Sequence, residues 1–134
     1  MKKLLSSLIL VVLFSVQASA FAEADWRKYY IVDDVEFYVD ANSIRKTGSY
    51  LRAWTLQDFR TERIWQDMRI KSILELEHFD CKNERTRTIK YTVFSENMRK
   101  GKALYTSEEV EDFEQVTPDS RGGYLLRSVC ELFK

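Results

Sequence analysis

The sequence has few of the residues that build most enzyme active sites. Its 134 residues include two cysteines, one histidine, one proline and four glycines. A catalytic triad would have to use His78, yet no serine lies in a Gly-x-Ser-x-Gly turn. No Cys-x-x-Cys pair is present, which argues against disulfide exchange. The composition therefore favours a protein that is not an enzyme, and we expect no cofactor.

Neither an excess of one charge nor a second long apolar run is present. The chain has 21 basic and 21 acidic residues, so its formal net charge is zero. Nucleic-acid-binding proteins usually have a strong positive excess, and we therefore expect no nucleic-acid partner. After the first 22 residues, no apolar stretch approaches the roughly 20 residues that span a bilayer. We expect no membrane span in that part of the chain.

The first 22 residues have the pattern of a cleaved export signal. Lys2 and Lys3 precede the largely apolar run Leu4–Val16, and two overlapping small-x-small sites end at Ala20 and Ala22. Cleavage after either alanine leaves 19 basic against 21 acidic residues. No cysteine lies at the cleavage region, so we expect an unlipidated product that is exported and either periplasmic or secreted.

Cys81 and Cys130 are the two cysteines of the chain. Exported proteins with an even cysteine count usually pair them, so the sequence predicts one disulfide. The bridge would close a loop of roughly 50 residues and restrict the unfolded chain by about 4 kcal/mol. The alternative is a pair of unpaired, buried thiols.

From Trp26 onward the sequence is rich in aromatic and β-branched residues, interrupted by polar turns. The segment 60–68 is charged and lacks a clean period, which suits a loop or an irregular strand extension. Alternation within 85–95 places Arg85, Arg87, Ile89, Tyr91 and Val93 on one face. The predicted strands are Trp26–Val32, Val35–Val39, Tyr50–Phe59, Lys71–Cys81, Arg85–Ser95 and Lys102–Thr106.

The last segment has the pattern of a helix. Pro118 precedes Asp119 and Ser120, either of which can cap a helix N-terminus. The residues that follow at helical spacing form an apolar face that includes Cys130, and they are Tyr124, Leu125, Leu126, Val129, Leu132 and Phe133. The sequence thus predicts an α+β fold in one domain, 25–134, with an antiparallel sheet of about six strands and one C-terminal helix bridged to it by the disulfide.

Basic and aromatic residues supply the candidate binding surface. Arg85 and Arg87 share a strand face, whereas Arg99 and Lys100 lie at a hairpin tip, and both pairs could contact an anionic ligand. The alternative is that the arginine stems pack on the sheet and their charged ends are solvated. Trp65, inside the charged segment, is the candidate for an exposed contact residue.

His78 and Asp80 alternate onto the same strand face, which is the start of a metal site. Cys81 faces the other way and is expected in the disulfide, so a third ligand would have to come from elsewhere. We therefore expect a solvated or helix-covered histidine and no metal.

A series of short motifs in a fixed order resembles the surface-adhesin protein E family of exported bacterial proteins. The motifs are Asp25-Trp26, Phe37-Tyr38-Val39-Asp40 before Ser43-Ile44, Gly48 before Arg52-Ala53-Trp54-Thr55-Leu56, Phe79-Asp80-Cys81, Arg85 with the Tyr91 strand, Phe113-x-x-Val116-x-Pro118-x-Ser120, and Val129-Cys130. The resemblance implies a six-stranded antiparallel sheet with a bridged C-terminal helix, and a homodimer. It also implies binding of host matrix and serum proteins such as vitronectin and laminin.

The chain departs from the family pattern at several positions. Asp119 stands where family members commonly have glycine, Phe113 where they have tryptophan, and the segment 97–101 where they have a glycine-richer hairpin. The missing lipidation cysteine puts surface display in doubt. Two functions follow from the sequence: an adhesin-like module that binds proteins, or a soluble periplasmic accessory protein such as a hydrolase inhibitor.

Overall fold

A computed structural model describes residues 23–134. The export signal predicted over 1–22 lies outside the described residues. In the part that is described, no helix is long and apolar enough to cross a membrane.

Within residues 23–134, eight antiparallel strands form one sheet, and a single α-helix follows them. The main path of the sheet is β1-β2-β4-β5-β6-β7, with β3 paired to β4 and β8 paired to β6. One turn of 3₁₀-helix lies at Ala41–Ser43 and another at Asn97–Arg99. The elements are β1 Trp26–Val32, β2 Val35–Asp40, β3 Arg45–Thr47, β4 Tyr50–Trp65, β5 Met68–Asp80, β6 Arg85–Phe94, β7 Ala103–Ser107, β8 Glu114–Gln115 and α1 Arg121–Leu132.

The predicted antiparallel sheet, C-terminal helix and Cys81–Cys130 bridge are all present. The sheet dominates the fold, however, so the α+β description holds only in part. Two short strands, β3 and β8, raise the number above the six expected. The charged segment after Phe59 is the irregular strand extension, because β4 continues to Trp65 and its pairing with β5 shifts register between Asp58 and Arg63.

Helix α1 packs on one face of the sheet, which we name the helix face. Ser120 caps α1, since its Oγ accepts a hydrogen bond from the Gly123 backbone N–H at 3.1 Å. Glycine is needed at 123 because a Cβ there would lie 2.3 Å from the Thr117 carbonyl oxygen. The buried side chains of this core are Val39, Ile44, Leu51, Ala53, Phe79, Leu125, Leu126 and Val129.

A second, smaller core lies at the far end of the sheet. Phe59, Ile70 and Val93 are buried there, and Trp65 and Tyr91 pack against them. The two-residue turn at Gln66 and Asp67, both with positive φ, closes the β4–β5 hairpin at this end.

One extra residue in β6 changes which side chains share a face. Glu77 pairs with Thr88 but Leu76 pairs with Lys90, so Ile89 is a bulge. The predicted sharing of one face by Arg85, Arg87, Tyr91 and Val93 is therefore wrong. A one-residue bulge reverses the alternation, and the two arginines lie on the same face as Lys90.

The middle of β5 has an unusual polarity. Glu75 and Glu77 lie on the helix face, opposite Thr55 and Ala53 of β4. Leu74 and Leu76 alternate with them and therefore lie on the other face, which we name the open face. The acidic side chains thus lie on the covered side of the sheet and the leucines on the uncovered side.

Candidate functional site on the open face of the sheet

Four basic side chains form a row across the open face. Arg45 of β3 pairs directly with Arg52 of β4, Arg52 pairs with His78 of β5, and His78 pairs with Arg87 of β6. Residues directly opposite each other in an antiparallel sheet lie about 5 Å apart and point to the same side. We call Arg45, Arg52, His78 and Arg87 the arginine row.

None of the three arginines of the arginine row forms a salt bridge across residues 23–134. Carboxylates are nearby, since Asp40 lines the same cavity as Arg45 and Arg52 and five acidic residues line the same cleft as Arg87. Arg45 donates to the backbone carbonyl of Ile44 at 2.8 Å, and Arg87 donates from Nε to Nδ1 of His78 at 3.1 Å. Like charges directly opposite in a sheet are destabilising. The row therefore costs stability and leaves guanidinium donors for another partner.

His78 is the neutral member of the row. Its Nδ1 accepts a hydrogen bond from Arg87, which a protonated ring could not do. Burial, together with the guanidinium groups of Arg87 and Arg52, lowers the pKa of His78 below its usual range. The ring therefore acts as an acceptor that orients Arg87.

Aromatic rings cover one end of the row. The Phe113 ring lies 4.4 Å from Cζ of Arg87 and 4.7 Å from Cζ of Arg85, and its centroid is 4.7 Å from that of Tyr50. Unlike Arg87, Arg85 has a carboxylate partner, because its Nη2 lies 2.8 Å from Asp80. Hydrogen bonds from Asn83 and Arg85 lower the pKa of Asp80 to about 2.

A groove with an apolar floor and polar sides lies beside the arginine row. Its floor includes Trp54, Leu74 and Leu76 of β4 and β5, and Trp26 and Arg99 stand at its side. We call these five residues the tryptophan groove. Two adjoining cavities, of about 620 and 230 Å³, share Trp54 and Arg99, and the larger reaches Arg45 and Arg52 in the row.

One carboxylate, Asp40, also lines this groove. Its side chain is buried and accepts hydrogen bonds from the backbone N–H groups of Asp25 and Asn42, at 2.8 and 3.0 Å. These bonds satisfy one oxygen of Asp40 and hold the N-terminal segment in place.

Buried polar side chains hold Arg99 beside the groove. The backbone N–H of Met98 donates to Asp58 at 2.6 Å, and that of Arg99 donates to the Ser72 hydroxyl at 2.9 Å. Met98 and Arg99 both have a positive φ, 53° and 55°, which is costly for residues other than glycine. The loop is therefore locked in a strained conformation that places the Arg99 guanidinium 5.9 Å from the Trp26 ring.

The structure places the predicted site residues in three different regions. Arg85 and Arg87 lie at the Phe113 end of the open face, and Arg99 stands beside the tryptophan groove. Lys100 is exposed on the loop that follows. Trp65 lies at the far end of the sheet, half-buried, with its ring 5.5 Å from that of Tyr105.

Sequence reasoning missed Arg45, Arg52 and Trp54 as members of a surface. Arg52 and Trp54 are two residues apart, so alternation alone puts them on the same face. The alternation of Leu74 and Leu76 with two glutamates in β5 indicated that one face of this strand is apolar and the other acidic. That signal does not say which of the two faces the helix covers.

The acidic pair on the helix face lines a polar cleft of about 200 Å³, to which Arg87 of the arginine row also contributes. Thr55 donates to Glu77 at 2.8 Å and Gln57 donates to Glu75 at 2.9 Å. Burial raises the pKa of both carboxyls, and the neighbouring Glu75 helps to raise that of Glu77 to about 8. Arg121, at the start of α1, is a cation that also lines the cleft.

Within 23–134, no three or more His, Cys, Asp or Glu side chains are grouped so that they could hold a metal ion. His78 accepts its hydrogen bond from Arg87, and Asp80 is bound by Asn83 and Arg85.

Comparisons with known proteins agree with this fold. A family model described as surface-adhesin protein E matches residues 26–131. No curated protein matches the chain by sequence.

Solved structures of protein E from Haemophilus influenzae resemble the chain at low sequence identity. One has 17% identity and a TM-score of 0.61, covering 81% of this chain and 91% of that one. Another has 11% identity and a TM-score of 0.59, covering 79% and 93%. At such identities the likeness shows a shared fold.

Proposed function

Because the chain belongs to the surface-adhesin protein E family, we propose that it is an exported, non-catalytic domain that binds another protein through the open face of its sheet. The domain would comprise residues 25–134, after cleavage of the signal 1–22. As the family resemblance implies, its partners would be host matrix or serum proteins such as vitronectin and laminin, and it would act as a homodimer.

One observation carries the choice of surface. The arginines of the arginine row have no salt-bridge partner within residues 23–134, and the row adjoins a groove with an apolar floor. A sheet face that served stability alone would pair such charges or replace them. Arginine and tryptophan are also the residues that contribute most often to protein–protein binding energy.

The proposed surface extends the candidate residues of the sequence. Arg85 and Arg87 would form one end and Arg99 with Lys100 the other, with Arg52 and Trp54 between them. Trp65 would lie outside it, because its ring packs on Tyr91 and Tyr105 at the far end of the sheet.

Protease shaving of intact cells, followed by a blot for the mature chain, tests the location. Removal by protease is the expected result and makes binding to immobilised vitronectin and laminin the next assay. If the chain survives shaving and leaves with the periplasmic fraction, surface adhesion is wrong for this protein.

The second candidate function is that of a soluble periplasmic accessory protein, for example a hydrolase inhibitor. One observation favours it: the signal predicted over 1–22 has no cysteine at either of its two small-x-small cleavage sites. In that case pull-downs from the periplasmic fraction, with the Arg52→Gln variant as control, would recover the partner.

A further inference from the structure

We propose that the arginine row and the tryptophan groove together bind an acidic, extended segment of a partner protein. Carboxylates on one side of the segment would bind Arg45, Arg52 and Arg87, and an apolar side chain on that same side, two residues from a carboxylate, would enter the groove beside Trp54. This inference rests on the proposed function, because it names the chemistry of the partner that the open face recognises.

The first argument is charge complementarity. The three arginines of the row lack salt-bridge partners within the described chain, and Arg99 adds a fourth unpaired guanidinium. A guanidinium group can bind a carboxylate through two parallel hydrogen bonds. Binding an acidic segment would therefore convert a destabilising row of like charges into a row of ion pairs.

The second argument is spacing. The row crosses four adjacent strands, which at about 4.8 Å per strand spans about 14 Å. Side chains on one side of an extended peptide recur every two residues, at about 6.8 Å. Two or three carboxylates in an alternating acidic sequence would thus fit along the row.

The third argument is the position of the groove. Trp54 lies two residues from Arg52 on the same face, and Leu76 lies directly opposite Trp54. The groove is displaced from the row along β4, so a segment that leaves the row at Arg52 in the direction of β4 would place an apolar side chain over the groove, two residues from its last carboxylate and on the same side. The strained loop at Met98 and Arg99 closes the groove on one side.

Sulfated glycans also bind arginine, but the groove favours a peptide. Leu74 and Leu76 form part of its floor, and their side chains offer no hydrogen bonds to sugar hydroxyls. Aliphatic or aromatic side chains gain free energy from burial against such a floor.

Fluorescence anisotropy with two labelled peptides tests the proposal on the mature protein. The first probe has glutamate at alternate positions and tryptophan two residues after the last glutamate, with small polar residues between them, and the second has glutamine in place of every glutamate. We expect binding of the first probe, at least tenfold weaker binding of the second, and affinity that falls as salt is raised. Equal binding of both probes would overturn the proposal.

Two variants locate the site. Arg52→Gln is expected to weaken binding of the acidic probe about tenfold, and Trp54→Ala by a similar factor. Arg69→Gln is the matched control, because Arg69 is 76% exposed on β5, outside the row, and pairs with Glu62. It should change affinity less than twofold. Equal effects of Arg52→Gln and Arg69→Gln would refute the site, and thermal melts would establish that each variant is folded.

Binding of heparin tests whether the surface recognises a sulfated glycan instead of a peptide. Heparin binding that depends on Arg52, without binding of the acidic peptide, would overturn the proposal in favour of a sulfated glycan. Vitronectin or laminin bound equally by wild type and Arg52→Gln would refute this surface but leave the proposed function standing. If the chain is instead recovered from the periplasmic fraction after protease shaving, surface adhesion is refuted, whatever the result of the peptide assay.

Discussion

The two faces of strands β4 and β5 have opposite roles, although they are built from alternating residues of the same two segments. On the helix face, Leu51, Ala53 and Phe79 are buried against α1. On the open face, Arg52 and Trp54 alternate with them and lie beside unpaired charge and an apolar groove. The comparison teaches that the helix face supplies stability, while the open face carries features that cost stability.

The acidic pair is the exception on the helix face. Glu75 and Glu77 are held by Gln57 and Thr55 and lie in a cleft with Arg121. Their raised pKa values mean that the fold disfavours their charged forms. The contrast between the two faces can therefore be tested by three kinds of change. One removes contacts from the core of the helix face, one removes the charge of the buried acidic pair, and one removes a charge from the arginine row.

Loss of the disulfide should have the largest effect. The double substitution Cys81→Ala with Cys130→Ala removes a disulfide between two residues that are 49 positions apart in the sequence. We expect the free energy of unfolding to fall by about 4 kcal/mol, because the unfolded chain regains loop entropy. Urea unfolding monitored by tryptophan fluorescence measures the loss. Wild type in reducing agent is the control and should match the variant; equal midpoints with and without reductant would contradict the prediction.

The next largest effect should come from the core of the helix face. Leu125 is 2% exposed and packs between α1 and the sheet. Leu125→Ala should cost about 3 kcal/mol, since it removes buried methyl groups and leaves a cavity. Leu132→Ala is the matched control on the same helix, where the leucine is 38% exposed, and should cost less than about 1 kcal/mol. A similar loss for both would mean that α1 does not pack as described.

Removing the charge of Glu77 should stabilise the fold in a pH-dependent way. The pKa of Glu77 is raised to about 8 in the fold, so the folded state binds more protons than the unfolded state between about pH 4.5 and 8. Wild-type stability should therefore fall as pH rises through this window. Glu77→Gln should abolish much of this slope and add about 2 kcal/mol at pH 8.

Urea midpoints from pH 4 to 9 would measure that effect. The control is Glu109→Gln, which removes an exposed carboxylate outside the polar cleft and should leave the slope as it is. A wild-type midpoint that rises over this pH range would show that the buried pair is stabilised by its ionised form, contrary to the prediction.

Removing one charge from the arginine row should have the smallest effect on stability, and the sign of that effect is informative. Arg52→Thr removes a charge between Arg45 and His78 and introduces a residue that favours strands. We expect a gain of about 0.5 kcal/mol together with loss of partner binding. Arg69→Thr makes the same exchange at a residue paired with Glu62 and should change stability little. If Arg52→Thr destabilises more than the control, the row is structural.

Much of the local structure was predictable because it depends on short-range patterns. Aromatic and β-branched alternation marked β1 and β2, and the Pro118-Asp119-Ser120 sequence marked the helix start, where Ser120 proved to be the cap. The disulfide followed from the cysteine count together with the export pattern. The end of β4 was misplaced at Phe59, because strand pairing with β5 continues through charged residues that carry no alternating signal.

The candidate site was only partly predictable. Arg85 and Arg87 were expected to share a face, and they do, since they pair with Asp80 and His78. Their neighbours across the sheet come from strands that are distant in sequence, so no local pattern connects Arg87 with Arg52. The position of Trp65 also depended on such contacts, because it packs on the separate strands β6 and β7.

The sequence by itself determined the six main antiparallel strands, the terminal helix with two candidate caps, and the two cysteines that join sheet and helix. These features rest on periods of two and 3.6 residues and on residue chemistry that acts over a few positions. The tertiary structure alone decided which face of β5 the helix covers, where β6 takes its extra residue, and that three arginines lie in one row. Those outcomes depend on strand register and helix docking, in which residues far apart in the chain compete for the same partners.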